Sequence, residues 1–291
     1  MKIRFSSENR IFNINGTDGT GIPYLSSVML DELGVPNAYT TRYIYYNEEK
    51  GTAKSGIRFK VMPGESEAEA VFAVKANTDR LADSLGSSLL KVCITDQKHT
   101  ANVYTVRQED LGFGPVPENR RAVDGLITDV PDAVLMVFGG DCPPVYIADP
   151  VRRVIGLVHA GRAGTFAGIP EVAIRRMTEE FGCNVSDLMV VIGPGICGDC
   201  YEMGDEIYDE LVSLWGREDA DRVMHRYPSG RYHLDLRAAN LLTLERMGIP
   251  GEHISVSNVC TCCNVETFYS YRAGRMENEQ VAMMVNRFAG R

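Results

Sequence analysis

One short stretch of this chain holds both a thiol and an imidazole, the pair of side chains that serves either as nucleophile and base or as two metal ligands. Cys142 sits in Gly139-Gly140-Asp141-Cys142-Pro143-Pro144, and His159 opens His159-Ala160-Gly161-Arg162-Ala163-Gly164-Thr165. Between them lie two apolar runs, Val145–Ala148 and Val154–Val158, joined by Asp149-Pro150-Val151-Arg152-Arg153. Two β-rich runs around a turn read as an antiparallel hairpin. With the turn centred between Pro150 and Val151, the register sets Cys142 directly opposite His159, with Cβ atoms about 4.5–5.5 Å apart. That proximity alone leaves three readings open: a nucleophilic dyad, metal ligands, or packed structural residues.

A catalytic zinc takes three protein ligands and keeps a fourth position open. The chain has 5 histidines: His99, His159, His225, His233 and His253. The last three lie in polar loop or cap contexts that suit surface residues. His99 falls between two β-like runs, Leu90–Thr95 and Val103–Val106, and is the preferred third ligand. Two imidazoles and one thiolate suit zinc better than copper. A multicopper oxidase would need many more histidines, commonly in His-x-His pairs, and this chain has none of these pairs.

Further thiols lie outside this set. Cys197-x-x-Cys200 and Cys260-x-Cys262-Cys263 would suit a structural zinc or an iron–sulfur cluster, but the second group is poorly spaced for a zinc knuckle, so a second metal is not the expectation. Cys93 and Cys183 read as core or loop thiols. Gly193-Pro194-Gly195-Ile196-Cys197-Gly198 matches a dinucleotide fingerprint. It lacks the acidic strand end expected about twenty residues on, and Pro194 removes a backbone donor. Arg42, Arg162, Arg272 and Arg275 are candidate anion contacts, with Arg162 favoured by its nearness to His159.

These residues must be positioned by a chain of 291 residues with 44% hydrophobic and 24% charged residues, long enough for a sizeable core. A net charge of −9 argues against a nucleic-acid partner, though not against a small anion. The longest apolar runs are about six residues, against the roughly twenty that span a bilayer, so no membrane partner is expected. The N-terminus has no unbroken apolar core of the signal-peptide kind, so a cytoplasmic protein with reduced thiols is expected. Helices are expected at Leu25–Leu33, from Asn77 to Gly86, at Ile169–Phe181, Glu202–Trp215 and Asp235–Met247. Strands are expected at Val134–Phe138, Leu188–Ile192 and Ile254–Val259, with loops at Leu111–Val123 and Glu218–Arg231. Strands and helices mix without strict alternation, which favours one α+β domain over residues 1–291.

Several segments in order resemble the laccase-domain family, also called YfiH-like or multicopper polyphenol oxidase-like proteins. They are Ala76–Leu81, Gln97-x-His99, Asp124-Gly125-Leu126-Ile127-Thr128, Gly140–Pro144, Val158-His159-Ala160-Gly161 with Gly164-Thr165, and Ile192-Gly193-Pro194 with Cys200-Tyr201-Glu202. Leu234-Asp235-Leu236 with Asn240, and Cys260-Thr261 with Phe268-Tyr269-Ser270-Tyr271-Arg272, complete the set, which runs from about residue 24 to 285. The resemblance implies a layered α/β sandwich with mixed sheets, akin to some cysteine hydrolases, and maps the zinc ligands onto His99, Cys142 and His159. It also implies phosphorolysis of adenosine, inosine and methylthioadenosine, with adenosine deamination as a further activity. Older usage has these proteins as copper phenol oxidases, and some members are linked to peptidoglycan-precursor editing.

Two departures stand out. The family's HAGWRGT is His159-Ala160-Gly161-Arg162-Ala163-Gly164-Thr165 here, and its Thr-Gly-Arg near the C-terminus is Glu277-Asn278-Glu279. The expectation is a zinc-dependent purine nucleoside phosphorylase, with catalytic roles for Asp141, Cys142 and Arg162. Arg42, Gln97, Arg162 and Arg272 would contact the nucleoside or phosphate. The alternatives are a metal-free cysteine hydrolase built on Cys142 and His159, a copper polyphenol oxidase, and a non-enzymatic partner protein that retains the fold. The sequence leaves the oligomeric state open.

Overall fold

A computed structural model describes residues 1–59, 67–114, 120–274 and 278–290. The chain begins with β1 (Phe12–Asn15), β2 (Tyr24–Ser27), α1 (Val28–Glu32), β3 (Asn37–Thr40), β4 (Tyr43–Asn47), β5 (Thr52–Ser55) and α2 (Glu67–Ser84). The middle holds β6 (Val92–Ile94), β7 (Val103–Thr105), β8 (Gly125–Thr128), β9 (Val134–Gly139), β10 (Pro144–Asp149) and β11 (Val154–His159). Then follow α3 (Arg162–Phe166), α4 (Ile169–Phe181), β12 (Met189–Ile192), β13 (Glu202–Met203), α5 (Asp205–Trp215) and α6 (Arg217–Val223). The chain finishes with β14 (Met224–Arg226), β15 (Tyr232–Leu234), α7 (Leu236–Arg246), β16 (Ile254–Val256) and β17 (Gln280–Val285).

Two mixed six-stranded sheets carry the architecture, in the orders β1-β2-β3-β17-β9-β6 and β16-β12-β10-β11-β8-β7. Each strand's alternation divides its side chains between two apolar clusters. Leu135 and Val137 of β9 and Ala282 and Met284 of β17 meet Tyr146, Ala148, Ile155 and Leu157 of β10 and β11 between the sheets. The opposite residues, Val134, Met136 and Phe138, pack with Leu81, Ala82 and Leu85 of α2. On the second sheet, Val145, Ile147, Val154 and Val158 pack with Ile169, Ala173, Ile174 and Met177 of α4. Central strands covered on both faces read as unbroken apolar runs, as β9, β10, β11 and β17 do. Among the described residues, no helix is long and apolar enough to cross a membrane.

Several expectations shift. The hairpin β10–β11 forms, but Pro144 rather than Cys142 stands opposite His159. The turn is centred one residue later than assumed: Asp149 pairs with Val154, its Oδ1 accepts from the amides of Val151 and Arg152 at 2.8 Å, and Arg153 turns back with φ 59°. That cap moves the turn centre toward the C-terminus and slides the register with it. The helix expected to start at Asn77 already runs from Glu67, and Asn77 is an interior residue that donates to the Arg58 carbonyl at 2.8 Å. The Leu25–Leu33 segment divides into β2 and α1, and Glu202–Trp215 divides into β13 and α5. The loop expected at Glu218–Arg231 is largely α6 and β14, held by Ala220, Val223 and Met224 in a cluster with Leu211, Leu236 and Ala239. The helix at Ile169–Phe181 matches its expected bounds, with Pro170 in its first turn and left-handed Gly182 ending it. Of the loop expected at Leu111–Val123, residues 115–119 lie outside the described residues.

One polar bond crosses the apolar space between the sheets. Tyr146 on β10 is buried and donates its hydroxyl to the Ala38 carbonyl of β3 at 2.9 Å. Tyr146→Phe removes that donor and is expected to cost about 1–2 kcal/mol of unfolding free energy, read as a lower urea midpoint at an unchanged slope.

Candidate metal centre and cavity

The site forms at one end of the two sheets, where the chain leaves β6, β9 and β11 and enters β8 and β10. His99 follows β6, Cys142 lies in the turn between β9 and β10, and His159 is the last residue of β11. Cys142 is therefore brought to His159 by the turn beyond the ladder rather than by direct pairing. Asp141, with φ 97°, makes that turn. The ligand atoms of His99, Cys142 and His159 all lie within 4.8 Å of one another. The two imidazoles meet edge to face, with centroids 4.9 Å apart.

Asp124 holds this arrangement. It is fully buried immediately before β8, and its backbone carbonyl accepts from the His159 amide at 2.7 Å. Its Oδ1 lies 3.0 Å from His159 Nδ1 and 2.9 Å from the donating His99 amide. Its Oδ2 accepts from the amides of Lys98 and Thr100 at 3.1 and 2.8 Å, and from the Thr100 hydroxyl at 2.8 Å. Burial would push this carboxyl up, but His159 and the Thr100 and Lys98 donors bring it down to about 2. The bond at Nδ1 fixes the ring and leaves Nε2 as the nitrogen that could hold a metal, a carboxylate–histidine support found at metal sites. The same pinned amides hold His99 at φ 58°, a left-handed conformation that side-chain-bearing residues adopt at some cost.

Gly161 supplies the room. A Cβ there would stand 2.8 Å from Cys142 Sγ, 3.1 Å from His99 Cδ2 and 3.3 Å from His159 Cε1. Burial raises the Cys142 thiol, but the His159 charge and hydrogen bonds from both imidazoles outweigh it and bring it to about 7. Burial lowers His159, and the Cys142 thiolate and Asp124 outweigh it, raising it to about 9. A soft thiolate and two imidazoles with a free approach make a donor set that fits zinc.

His99, Cys142 and His159 open into a cavity of about 680 Å³. Gln97, Asp141, Arg162 and Arg272 line it, as do Arg120, Phe138, Tyr201, Tyr271 and Glu279. Gln97 is locked to the end of β9: its Nε2 donates to the Phe138 carbonyl at 3.1 Å and its Oε1 accepts from the Phe138 amide at 2.6 Å. Asp141 Oδ1 accepts from Thr261 at 2.6 Å, and Oδ2 from the Ser270 hydroxyl and Arg272 amide at 3.0 and 2.7 Å. Arg162 begins α3 and bonds Glu210 of α5 at 2.8 Å. Arg272 donates to the Glu202 carbonyl at 2.8 Å and lies over the Tyr201 ring. Ala163, beside Arg162, also faces the cavity.

Arg42 is not brought to this group. Its amide and guanidinium bond the carbonyls of Thr267 and Val265 at 2.8 and 2.9 Å, tying β4 to the segment before Phe268. Arg275 and Glu277 lie outside the described residues. His225 is exposed, while His233 stacks on Tyr227 with centroids 3.8 Å apart. The glycines of Gly193–Gly198 face packed neighbours rather than an open cradle: a Cβ on Gly193 would meet Pro144 at 2.7 Å, and one on Gly195 the Asp141 carbonyl at 2.8 Å. The segment leads into a single 3₁₀ turn, Gly198–Cys200, instead of the long helix a dinucleotide site needs. Sequence reasoning passed over Asp124, Arg120, Tyr201 and Tyr271. Asp124 had a usable signal in the Asp124–Thr128 segment of the resembled pattern, and the pairing of β8 with β11 in the structure sets it beside His159.

The family model described as multi-copper polyphenol oxidoreductase laccase matches residues 60–286. The purine nucleoside phosphorylase YlmD of Bacillus subtilis is 35% identical over 201 residues, 68% of this chain and 72% of its own length. The adenosine deaminase RL5, from an unknown prokaryotic organism, is 30% identical over 66% of this chain and 73% of its own. The crystal structure of YlmD from Geobacillus stearothermophilus superposes with a TM-score of 0.81 at 29% identity, covering 96% of this chain and 99% of that one.

Two measurements probe the centre. In metal-free protein the Cys142 shift favours the fold above its ordinary value near 9 and is lost as pH falls through about 7. The His159 shift favours the fold below 6.5 and is lost as pH rises through about 9, so both groups are charged between those limits. Alkylation of Cys142 should therefore reach half its plateau rate near pH 7, and bound zinc should block it. Asp124→Asn should keep the fold by circular dichroism and weaken zinc roughly ten- to hundredfold in competition with a chromophoric chelator.

Proposed function

The chain belongs to the multi-copper polyphenol oxidoreductase laccase family, and on that premise we propose that it is a zinc-dependent purine nucleoside phosphorylase. The observation that carries this reading is the His99–Cys142–His159 group opening into a cavity with both arginine and aromatic walls. Support comes also from relatives named purine nucleoside phosphorylase. A cavity of about 680 Å³ falls in the range of small-ligand sites.

In phosphorolysis a phosphate oxygen bonds to C1′ of the ribose, the bond from C1′ to the purine nitrogen breaks, and its electron pair leaves on the base, which takes a proton. Arg162 and Arg272 hold the phosphate and stabilise its charge, and Arg120 also lines the cavity. Tyr271, largely exposed at the cavity, offers a face on which the purine stacks. Burial and the neighbouring Cys142 charge push the Tyr201 hydroxyl up to about 12, so it keeps its proton and can donate it toward the sugar or the departing base. Asp141 has both oxygens occupied by Thr261, Ser270 and Arg272, and acts by positioning the Cys142 turn. Gln97 acts likewise by locking the end of β9. His99, Cys142 and His159 would hold a zinc ion, which would supply Lewis acidity to the bound substrate.

The positions of the phosphate contacts bear on the family departures. Ala163 and Glu279 replace arginines of the resembled pattern, and both line the cavity. Arg162 and Arg120 provide the positive charge there instead, so anion binding has moved rather than vanished. Adenosine deamination is a second reading, favoured by the relative named adenosine deaminase; it yields inosine and ammonia without phosphate. The Asp124–His159–Cys142 arrangement would also suit a metal-free thiol nucleophile, and protection of Cys142 by zinc separates the two.

Zinc-loaded protein incubated with adenosine, inosine or methylthioadenosine should release free base and ribose 1-phosphate (or its methylthio analogue) only when phosphate is present, and a chelator should stop it. Absence of base release from all three would overturn the reading. Arg272→Gln should raise the phosphate KM about tenfold, the size expected for one lost charged hydrogen bond.

A further inference from the structure

Four of the remaining thiols converge at a second place. Cys197, Cys200, Cys260 and Cys263 lie with all sulfur atoms within 4.8 Å of one another, although some sixty residues separate the two pairs. We propose that they bind one tetrahedral metal ion, zinc in the first instance, at a closed structural site separate from the His99–Cys142–His159 centre.

The topology explains the convergence. β12 and β16 are parallel neighbours, with Ile192 opposite Val256, so the chain leaves both strands side by side at the same edge. The bridge between Gly195 and Cys260 extends that pairing into the loops. Each loop then makes a single tight turn: Gly198–Cys200 in the first and Cys262–Asn264 in the second. The sequence contains two Cys-x-x-Cys knuckles once Cys262 is set aside, because Cys260-Thr261-Cys262-Cys263 spaces Cys260 and Cys263 like Cys197 and Cys200. Paired Cys-x-x-Cys spacings of this kind are the usual ones for structural zinc.

The distances favour a mononuclear ion. Cys263 Sγ is 3.5 Å from Cys200 Sγ and 3.9 Å from Cys197 Sγ. A tetrahedron with metal–sulfur bonds of about 2.3 Å has sulfur–sulfur edges of about 3.8 Å. A cubane iron–sulfur cluster would spread its four thiolates further apart than this group allows. None of the four is in a disulfide. The deepest sulfur is also provided with donors that suit a thiolate: the amides of Cys197 and Cys263 donate to Cys260 Sγ at 3.2 and 3.4 Å. Four thiols packed without an ion would have only weak S–H contacts in return for being held together.

The site would clasp one wall of the cavity. Tyr201 follows Cys200 directly, and Thr261 lies between two of the ligands and donates to Asp141 at 2.6 Å. With four protein ligands and no open position, the ion's role is to fix that wall rather than to react. The proposal holds whichever reaction the cavity performs.

Protein dialysed against zinc and then freed of excess should carry two metal equivalents by elemental analysis. Cys142→Ala should retain one, and Cys197→Ser with Cys263→Ser should retain one. Cobalt in the Cys142→Ala protein should show intense thiolate-to-cobalt charge transfer and the ligand-field bands of a tetrahedral four-sulfur site. Because a serine variant can fail to fold, the wild type gives an independent readout. Native alkylation followed by mass mapping should leave Cys197, Cys200, Cys260 and Cys263 unmodified until a chelator is added. Iron in place of zinc, recognised by its colour and by analysis, would keep the site and change only the ion. A Cys142→Ala protein that holds no metal, alkylation of the four cysteines at the same rate with and without chelator, or a disulfide among them in protein as isolated would each overturn the proposal.

Discussion

A single buried carboxylate sets the geometry on which this molecule's chemistry depends. Asp124 accepts from three consecutive amides, Lys98 to Thr100, and from the Thr100 hydroxyl while also bonding His159 Nδ1. It therefore couples a loop that carries one ligand to the strand end that carries another. A carboxylate without these donors would be costly in so dry a place, and the His99 loop without the carboxylate would leave a run of amides unpaired. Each side offsets the other's desolvation, and the strained backbone at His99 persists because the surrounding bonds determine it.

The sheets give that carboxylate a rigid frame. β8 pairs with β11 in antiparallel register, Gly125 opposite Val158, so Asp124 and His159 lie beside each other as the ladder ends. β11 and β10 form the hairpin, and the apolar faces of both sheets lock together beneath. Shape then acts at the van der Waals level. Any side chain on Gly161 would enter the space shared by the three ligands, and Asp141, held by Thr261 and Ser270, fixes the backbone that carries Cys142.

The parts legible in the sequence were those with local causes. The helix at Ile169–Phe181 follows from apolar spacing, an early proline and a terminal glycine, and it forms with those bounds. His99 and His159 stand out because imidazoles are few, and Cys142 because it flanks the same hairpin as His159, and the three do converge. What failed were inferences that depend on a longer-range arrangement. The Asp149 cap shifted the turn centre by one residue, which a turn rule does not foresee, and so moved the register. α6 has few apolar residues of its own, and Ala220 and Val223 become core only because α5 and α7 are packed beside them. Arg42 was chosen by charge alone, and its guanidinium instead braces the Val265 carbonyl.

The two ligand groups also show how donor number divides labour in one chain. Three donors at the end of the sheets would leave an ion one position facing the cavity, and that would suit an ion that meets a substrate. Four thiolates between the β12 and β16 loops leave none, and that suits an ion that holds backbone in place. The groups touch the same wall through Thr261 and Asp141, so rigidity at the closed site reaches the turn that carries Cys142. A ligand set that must keep one position open cannot be braced by a fourth ligand of its own. Here the brace comes from outside the set: from Asp124 behind His159, and from the thiol-clasped loops behind Asp141.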